Sequence, residues 1–184
     1  MNLIRPLAFC IIFLSIFVGC QSADKSVDGN PSPKPAQAVI PEPQSRDTMP
    51  AFILPTLAGN TFDSSAQEGR VLLVNFWATW CAPCRVEIPD LIALQEELGG
   101  EKFDVIGISL DTDDPAFVKE YTDAMEINYP LIIDDGEVAE AFGGVYALPT
   151  TYVVGKDGKI THRTIGLFPV ESVKEELIEM INAE

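Results

Sequence analysis

The chain has 184 residues, of which 47% are hydrophobic and 22% are charged. This composition excludes a disordered protein or a polytopic membrane protein, and the length suits one globular domain with extensions. The 12 basic and 28 acidic side chains give a formal net charge of −16. Because a surface of this sign repels phosphate backbones, we expect no nucleic-acid partner.

The first 19 residues have the pattern of an export signal. Arg5 supplies a positive n-region, and residues 7–18 form an apolar stretch that is too short to span a bilayer comfortably. The stretch ends in Gly19-Cys20, which resembles the bacterial lipobox, where the cysteine is acylated and becomes the mature N-terminus. We interpret Cys20 as a lipid anchor in the membrane. The alternative, ordinary signal cleavage that leaves Cys20 as an accidental thiol, stays open.

The next segment is rich in proline, serine, glutamine and alanine, and its prolines are spaced so that no helix or strand can persist. We therefore predict a signal peptide over residues 1–19, a lipidated N-terminus and tether over 20–48, and one folded domain over 49–184. Gln21 is not the aspartate that usually retains lipoproteins in a Gram-negative inner membrane. The expected location is the extracytoplasmic face of the cell envelope, with the outer membrane as one option.

The remainder of the chain alternates predicted strands and helices. Residues 71–77 are almost wholly apolar, as a central strand buried on both faces should be. Apolar residues then recur at helical spacing as far as Leu98 and stop at Gly99-Gly100. The predicted strands are 52–54, 60–62, 71–77, 103–110, 131–133, 151–154 and 160–165, and the predicted helices are 81–98, 114–125, 137–142 and 173–181. This order indicates an α/β sheet that ends in an antiparallel hairpin and a helix.

The predicted chemistry lies at Cys81 and Cys84, directly after the buried strand and at the start of a helix. Cys10 leaves with the signal and Cys20 takes the lipid, so these two cysteines remain, and a bridge across so small a loop adds little stability. The N–H groups and the dipole of a helix N-terminus stabilise a thiolate, which is the form that attacks a disulfide. The spacing places Cys81 at the exposed helix tip as the nucleophile. Cys84 lies three residues inward, where it can resolve a mixed disulfide.

Four sequence features occur together between residues 74 and 151. They are Val-Asn-Phe-Trp-Ala-Thr-Trp-Cys-Ala-Pro-Cys-Arg over 74–85, the following Glu87, Ile88-Pro89 in the predicted helix, and Ala-Leu-Pro-Thr-Thr over 147–151. With the element order, they resemble the thioredoxin superfamily, specifically its TlpA/ResA-like branch of membrane-tethered thiol–disulfide oxidoreductases with an AhpC/TSA-Redoxin-like domain. The resemblance covers about residues 49–184. It implies a thioredoxin-like fold with a central mixed sheet, helices on both faces, an N-terminal β extension, and a C-terminal β-hairpin plus helix.

The resemblance also implies roles for individual residues. Pro149 corresponds to a cis-proline beside the cysteine pair, which lets Leu148 offer backbone hydrogen bonds to a bound peptide. Trp80 is expected to flank the site and contact partners. Glu87 corresponds to a buried acid, where desolvation raises the pKa of a carboxyl group so that it can take a proton from Cys84. An exposed first-turn acid, favoured by the helix dipole, is the alternative for Glu87.

The favoured function is the reduction of disulfides in envelope proteins, apocytochrome c among them, by a dithiol cycle that needs no cofactor. A membrane-embedded thiol donor would then re-reduce the cysteine pair. Because Ala82 adds no charge or hydrogen bond that favours the reduced form, we predict a reduction potential nearer the roughly −270 mV of thioredoxin than the roughly −120 mV of a strong oxidant.

Two other functions, a peroxidase and a metal carrier, are alternatives because they also use cysteine side chains. Peroxidases share this fold, but their reactive cysteine lies three residues after a threonine or serine, and Ala78 stands at that position before Cys81. Copper carriers of this fold space their cysteines more widely and add a histidine. A zinc site needs four ligands, and His162 is the only histidine, on a strand where we expect it to be exposed. We therefore predict no metal.

Overall fold

The computed structural model describes residues 47–183. The predicted signal peptide, the lipid anchor at Cys20, Gln21 and nearly all of the tether lie outside these residues. Over the described range, no helix combines the length and the apolar character that crossing a membrane requires.

Between residues 47 and 183 the chain alternates strands and helices, as the sequence predicts. The strands are β1 (Ile53–Pro55), β2 (Thr61–Asp63), β3 (Val71–Trp77), β4 (Phe103–Ser109), β5 (Leu131–Ile133), β6 (Thr150–Val154) and β7 (Ile160–Ile165). The α-helices are α1 (Ala82–Leu98), α2 (Pro115–Ala124), α3 (Glu137–Ala141) and α4 (Val170–Asn182).

The central strand β3 is buried along its whole length because it has a neighbour on each edge and a packed layer on each face. It belongs to a five-stranded sheet with the order β5-β4-β3-β6-β7. The pairs β3–β4 and β4–β5 are parallel, and the pairs β3–β6 and β6–β7 are antiparallel, so the sheet is mixed. Strands β1 and β2 pair separately as an antiparallel hairpin, which is the predicted N-terminal extension.

Successive residues of β3 and β4 enter opposite core layers, because side chains alternate across a strand. One layer packs against α1, α2 and α4, and includes Leu73, Trp77, Leu91, Val105, Val118 and Leu177. The other packs against α3 and the β1–β2 hairpin, and includes Phe62, Leu72, Val74, Phe76, Ile106 and Val138. Helices therefore cover both faces of the sheet, which confirms the prediction.

The register of β3 and β4 determines where the site forms. Trp77 pairs with Ser109, so these two parallel strands end side by side. The segment that leads from β3 to Cys81 and the segment that follows Ser109 consequently emerge at the same edge of the sheet.

The predicted bounds agree with the structure within one to three residues, and β3, β5 and β7 have the predicted bounds. The largest correction concerns α4, which begins at Val170, directly after its N-cap Pro169, instead of at residue 173. A 3₁₀ turn over Ser64–Gln67 was not predicted. Asp63 caps this turn, since its side chain accepts a hydrogen bond of 2.9 Å from the Ser65 N–H.

Candidate active site

Cys81 is the N-cap of α1, between the end of β3 and the first helical turn. Its Sγ accepts a hydrogen bond of 3.2 Å from the backbone N–H of Cys84. Pro83 lies in the first turn, where its missing N–H would have had no helical partner. The helix dipole and the Cys84 N–H donor both favour negative charge on the sulfur of Cys81.

The structure contains the oxidised form of the cysteine pair. The sulfur atoms of Cys81 and Cys84 are 2.00 Å apart, and their Cα atoms are 5.3 Å apart. Cys81 is buried, with 5% of its surface exposed, so the prediction of an exposed first cysteine is wrong; Cys84 has no exposed surface at all. A partner can therefore reach the first sulfur more readily than the second.

A groove of about 460 Å³ opens beside Cys81. One wall is the start of α1, and the other is the segment before β6, which the antiparallel pairing of β6 with β3 brings alongside. Most of its lining is apolar, including Leu110, Val145 and Leu148. Two aromatic side chains at the groove are open to solvent, since Trp80 is 64% exposed and Tyr146 is 78% exposed.

The Leu148–Pro149 peptide bond is cis, as the resemblance implies. The turn around it is closed by Thr150, whose Oγ1 donates a hydrogen bond of 2.8 Å to the carbonyl oxygen of Ala147. Leu148 lines the groove, together with the predicted site residues Trp80 and Cys81. The predicted site residues Cys84 and Glu87 lie buried in α1.

Glu87 is buried, with 2% of its surface exposed, so the alternative of an exposed first-turn acid is wrong. Its Oε1 accepts a hydrogen bond of 2.7 Å from Asn75 Nδ2, and its Oε2 accepts one of 3.0 Å from the Phe168 N–H. Burial raises the pKa of Glu87 and outweighs these two hydrogen bonds, which lower it. A carboxyl group with a raised pKa can act as a proton acceptor closer to neutral pH.

Sequence reasoning missed Asn75 as a site residue. Its amide Nδ2 also donates a hydrogen bond of 3.0 Å to Thr151 Oγ1, so Asn75 connects Glu87 to β6. The signal was present in the sequence, because Asn75 is the one amide in an otherwise apolar strand. A buried amide needs partners, and this one has found two of them at the site.

Sequence reasoning also missed Asp111, which follows β4 and is 3% exposed. One oxygen, Oδ1, accepts a hydrogen bond of 2.6 Å from Thr79 Oγ1, and Oδ2 accepts one of 3.0 Å from the Thr79 N–H. Ser109 Oγ donates a further bond of 2.6 Å to Oδ2. An acid placed directly after a buried strand was the available signal. Its partner Thr79 could not be named without the register of β3 and β4.

His162 is exposed on β7, as predicted, and it does not line the groove. Its Nε2 lies 3.6 Å from Oε1 of Glu176 on α4.

Comparison with known proteins identifies the family. Residues 46–163 match the model of the AhpC/TSA family. The chain belongs to this family. Among the relatives of this AhpC/TSA member, the thiol-disulfide oxidoreductase ResA of Bacillus anthracis is 32% identical over 128 residues, which span 70% of this chain and 71% of that protein.

Solved structures have the same fold as this AhpC/TSA member. A thiol:disulfide interchange protein of the thioredoxin family from Chlorobium tepidum TLS has a TM-score of 0.67 at 29% identity, over 73% of this chain and 96% of that one. A secreted thiol-disulfide isomerase from Corynebacterium glutamicum has a TM-score of 0.67 at 26% identity, over 73% of this chain and 86% of that one. The thioredoxin-like fold is thus confirmed, and the enzyme class is thiol–disulfide oxidoreductase.

Proposed function

We propose that this enzyme reduces disulfides in other proteins of the cell envelope, with Cys81 as the nucleophile and Cys84 as the resolving thiol. One observation carries the proposal: Cys81 caps a helix beside an open apolar groove, whereas Cys84 is buried in the first turn of the same helix. A polypeptide disulfide that enters the groove meets the sulfur of Cys81 first.

The reaction begins with the reduced enzyme. The Cys81 thiolate attacks one sulfur of the client disulfide, the client S–S bond breaks, and the other client sulfur leaves as a thiolate that takes a proton from solvent. The Cys84 thiol then loses its proton and attacks Cys81 Sγ, which releases the second client sulfur. Two electrons have passed to the client, and the enzyme is left with the Cys81–Cys84 disulfide that the structure contains.

Glu87 accepts the proton of Cys84 in this scheme. It follows Cys84 by three residues on α1, which brings both to one face of the helix, and both are buried. The raised pKa that burial gives Glu87 matches the task, because a base is most effective when its pKa lies near the working pH.

Client recognition uses the groove beside Cys81. The exposed indole of Trp80 packs on the client polypeptide, and the backbone of Leu148, oriented by Pro149, pairs with the client backbone. Because the groove is apolar and open, it suits an extended polypeptide better than a small polar disulfide.

We further propose that the enzyme is exported and anchored through lipid on Cys20, with the outer membrane as one option from Gln21. The similar thiol-disulfide isomerase from Corynebacterium glutamicum is a secreted protein, which supports export. At that location the clients are disulfide-bearing envelope proteins, apocytochrome c among them, and a membrane-embedded thiol donor re-reduces the cysteine pair.

A trapping experiment tests the assignment of the two sulfurs. In the Cys84→Ser variant we expect client proteins to remain attached through Cys81, so that they release only on addition of reductant. The matched Cys81→Ser variant, which keeps only the buried cysteine of the pair, should trap nothing. Equal trapping by both variants would contradict the assignment.

The direction of electron flow needs a separate measurement. Equilibration of the wild-type protein with glutathione buffers gives its reduction potential, and a value above about −180 mV would contradict the reductase direction.

A further inference from the structure

Asp111 is a buried acid that the proposed catalytic cycle does not use. Its carboxylate accepts hydrogen bonds from three donors, namely the N–H and the hydroxyl group of Thr79 and the hydroxyl group of Ser109, and Thr79 lies two residues before Cys81. The backbone N–H of Asp111 donates a hydrogen bond of 3.1 Å to Ser109 Oγ, so both the backbone and the side chain of Asp111 are held by hydrogen bonds.

We propose that Asp111 is a positioning residue of the redox centre: it holds the turn before Cys81 and places there a buried negative charge that disfavours the Cys81 thiolate. The Cys81–Cys84 pair is thereby kept more reducing than its helix position alone would make it. This inference rests on the proposed disulfide chemistry at these two sulfurs.

The contacts of Asp111 indicate that its carboxylate is ionised. Every partner is a donor: the backbone N–H of Thr79, its hydroxyl group and the hydroxyl group of Ser109. An ionised carboxylate is an acceptor only, and three such donors are the surroundings it requires when buried. Within residues 47–183 no lysine, arginine or histidine lies within ion-pair distance of Asp111 to neutralise it.

The charge is close enough to affect Cys81. Two residues of chain span at most about 7 Å, and the carboxylate contacts Thr79 directly, so its separation from Cys81 is on the order of 10 Å. Across a protein medium with an effective dielectric constant of about 20, a unit charge at that separation changes an ionisation equilibrium roughly tenfold. Exposed acids are screened and have much less effect.

The effect on the redox equilibrium follows from the half-reaction. The disulfide takes up two electrons and two protons to give two thiols, and Cys81 then ionises to an extent set by its pKa. An interaction that stabilises the Cys81 thiolate stabilises the reduced protein, and so makes the disulfide form a stronger oxidant. A negative charge beside the thiolate acts in the opposite direction.

Other charged or titratable groups share these surroundings. Tyr121 of α2 lies near Asp111 and also near Arg85 of α1, since the charges of both residues act on the pKa of Tyr121. Glu87 lies further along α1. Asp111 also lines a cavity beside the β1–β2 hairpin. Other acids line the same cavity, namely Asp113, Asp134, Asp135 and Glu137. Except for Asp113, which one control replaces, these groups remain unchanged in the variants below and so form a constant background.

The test compares Asp111→Asn with two controls in the full-length protein. Asp111→Asn removes the charge and keeps the shape, Thr79→Val removes one hydrogen bond and keeps the charge, and Asp113→Asn removes an exposed acid two residues away.

The measurements are the rate of Cys81 alkylation against pH, and the equilibrium constant with glutathione. For Asp111→Asn we expect alkylation to begin at lower pH and the equilibrium to move roughly tenfold toward the reduced protein, which is about 30 mV. Both controls should stay within threefold of wild type.

An unchanged Asp111→Asn variant, or an equal shift in Thr79→Val, would overturn the inference. If Asp111→Asn does not fold, the wild-type protein still decides the question. The carbon-13 signal of the Asp111 carboxyl group should move as Cys81 ionises in the reduced protein and should stay constant in Cys81→Ser, because coupling between two sites is reciprocal. The changes in alkylation pH and in the glutathione equilibrium are measured relative to wild type. A failure of this inference can therefore be distinguished from a failure of the reductase assignment, which depends on the absolute reduction potential.

Discussion

The amide Nδ2 of Asn75 donates a hydrogen bond of 2.7 Å to Oε1 of Glu87, which joins the centre of β3 to the helix that carries both cysteines. The same nitrogen donates to Thr151 on β6. The acid is therefore oriented by the sheet, and its proton affinity depends on Asn75, a residue with 1% of its surface exposed.

Replacement of Asn75 tests whether this orientation matters for the chemistry. In Asn75→Ala the ionised form of Glu87 loses a donor, so the pKa of Glu87 should rise further. We expect the pH profile of the Cys84 step to move to higher pH and its rate at neutral pH to fall about tenfold, since a hydrogen bond to a charged group contributes about 1.5–3 kcal/mol. Stopped-flow decay of a preformed mixed disulfide measures this rate. The control is Thr151→Val, which keeps the Asn75–Glu87 bond and should retain the wild-type pH profile.

Replacement of Glu87 separates the two chemical steps. In Glu87→Gln the Cys84 thiol loses its proton acceptor, and we expect resolution of the mixed disulfide to slow by about 10²–10³, within the usual range for a general base. The first attack by Cys81 should keep its rate, because the helix start favours its thiolate independently of Glu87. Rapid-quench analysis of both steps gives the two rates. Glu96→Gln, at an exposed acid of α1, is the control, and equal slowing of both steps would contradict the assigned role.

The buried acid also makes stability depend on pH in an unusual direction. Burial raises the pKa of Glu87 above its ordinary value of 4.5, so in the window above 4.5 the folded protein holds a proton that the unfolded chain has released. The contribution of this group to stability is fully present below that window and is lost as pH rises through the folded pKa. We expect the free energy of unfolding of wild type, relative to Glu87→Gln, to decrease as pH rises through this window. Urea titrations of both oxidised proteins measure the difference, and a constant or increasing value would be contrary to burial of an ionisable acid.

The sequence was sufficient for the elements of the site that are local in the chain. Cys81, Cys84 and Glu87 lie within seven residues at the start of α1, so the local pattern located the cysteine pair, and the resemblance identified Glu87 as the buried acid beside it. The strand β5 was predicted with its observed bounds because its three apolar residues lie between Pro130 and Asp134-Asp135, where the apolar run stops.

The parts that the sequence did not predict depend on contacts between distant residues. Thr79 and Asp111 are 32 positions apart and meet because Trp77 pairs with Ser109, a register that no local pattern specifies. The hydrogen bond from Phe168 to Glu87 joins residues 81 positions apart and depends on how α4 packs on α1. The cis state of Pro149 came from the resemblance, because the sequence around it indicates only a turn.

The two exposed aromatic residues at the groove provide the last prediction. Trp80 and Tyr146 expose large apolar surfaces beside Cys81, and burial of one such side chain against a client contributes about 1.5–3 kcal/mol. In Trp80→Ala and Tyr146→Ala we expect KM for a protein disulfide to rise about tenfold, while kcat/KM for glutathione disulfide, which is too small to cover either side chain, stays near wild type. Phe117→Ala is the matched control, since Phe117 is 53% exposed on α2 and does not line the groove. Equal losses on both substrates would mean that these residues support the Cys81 turn itself, and unchanged KM would place client binding elsewhere on the surface.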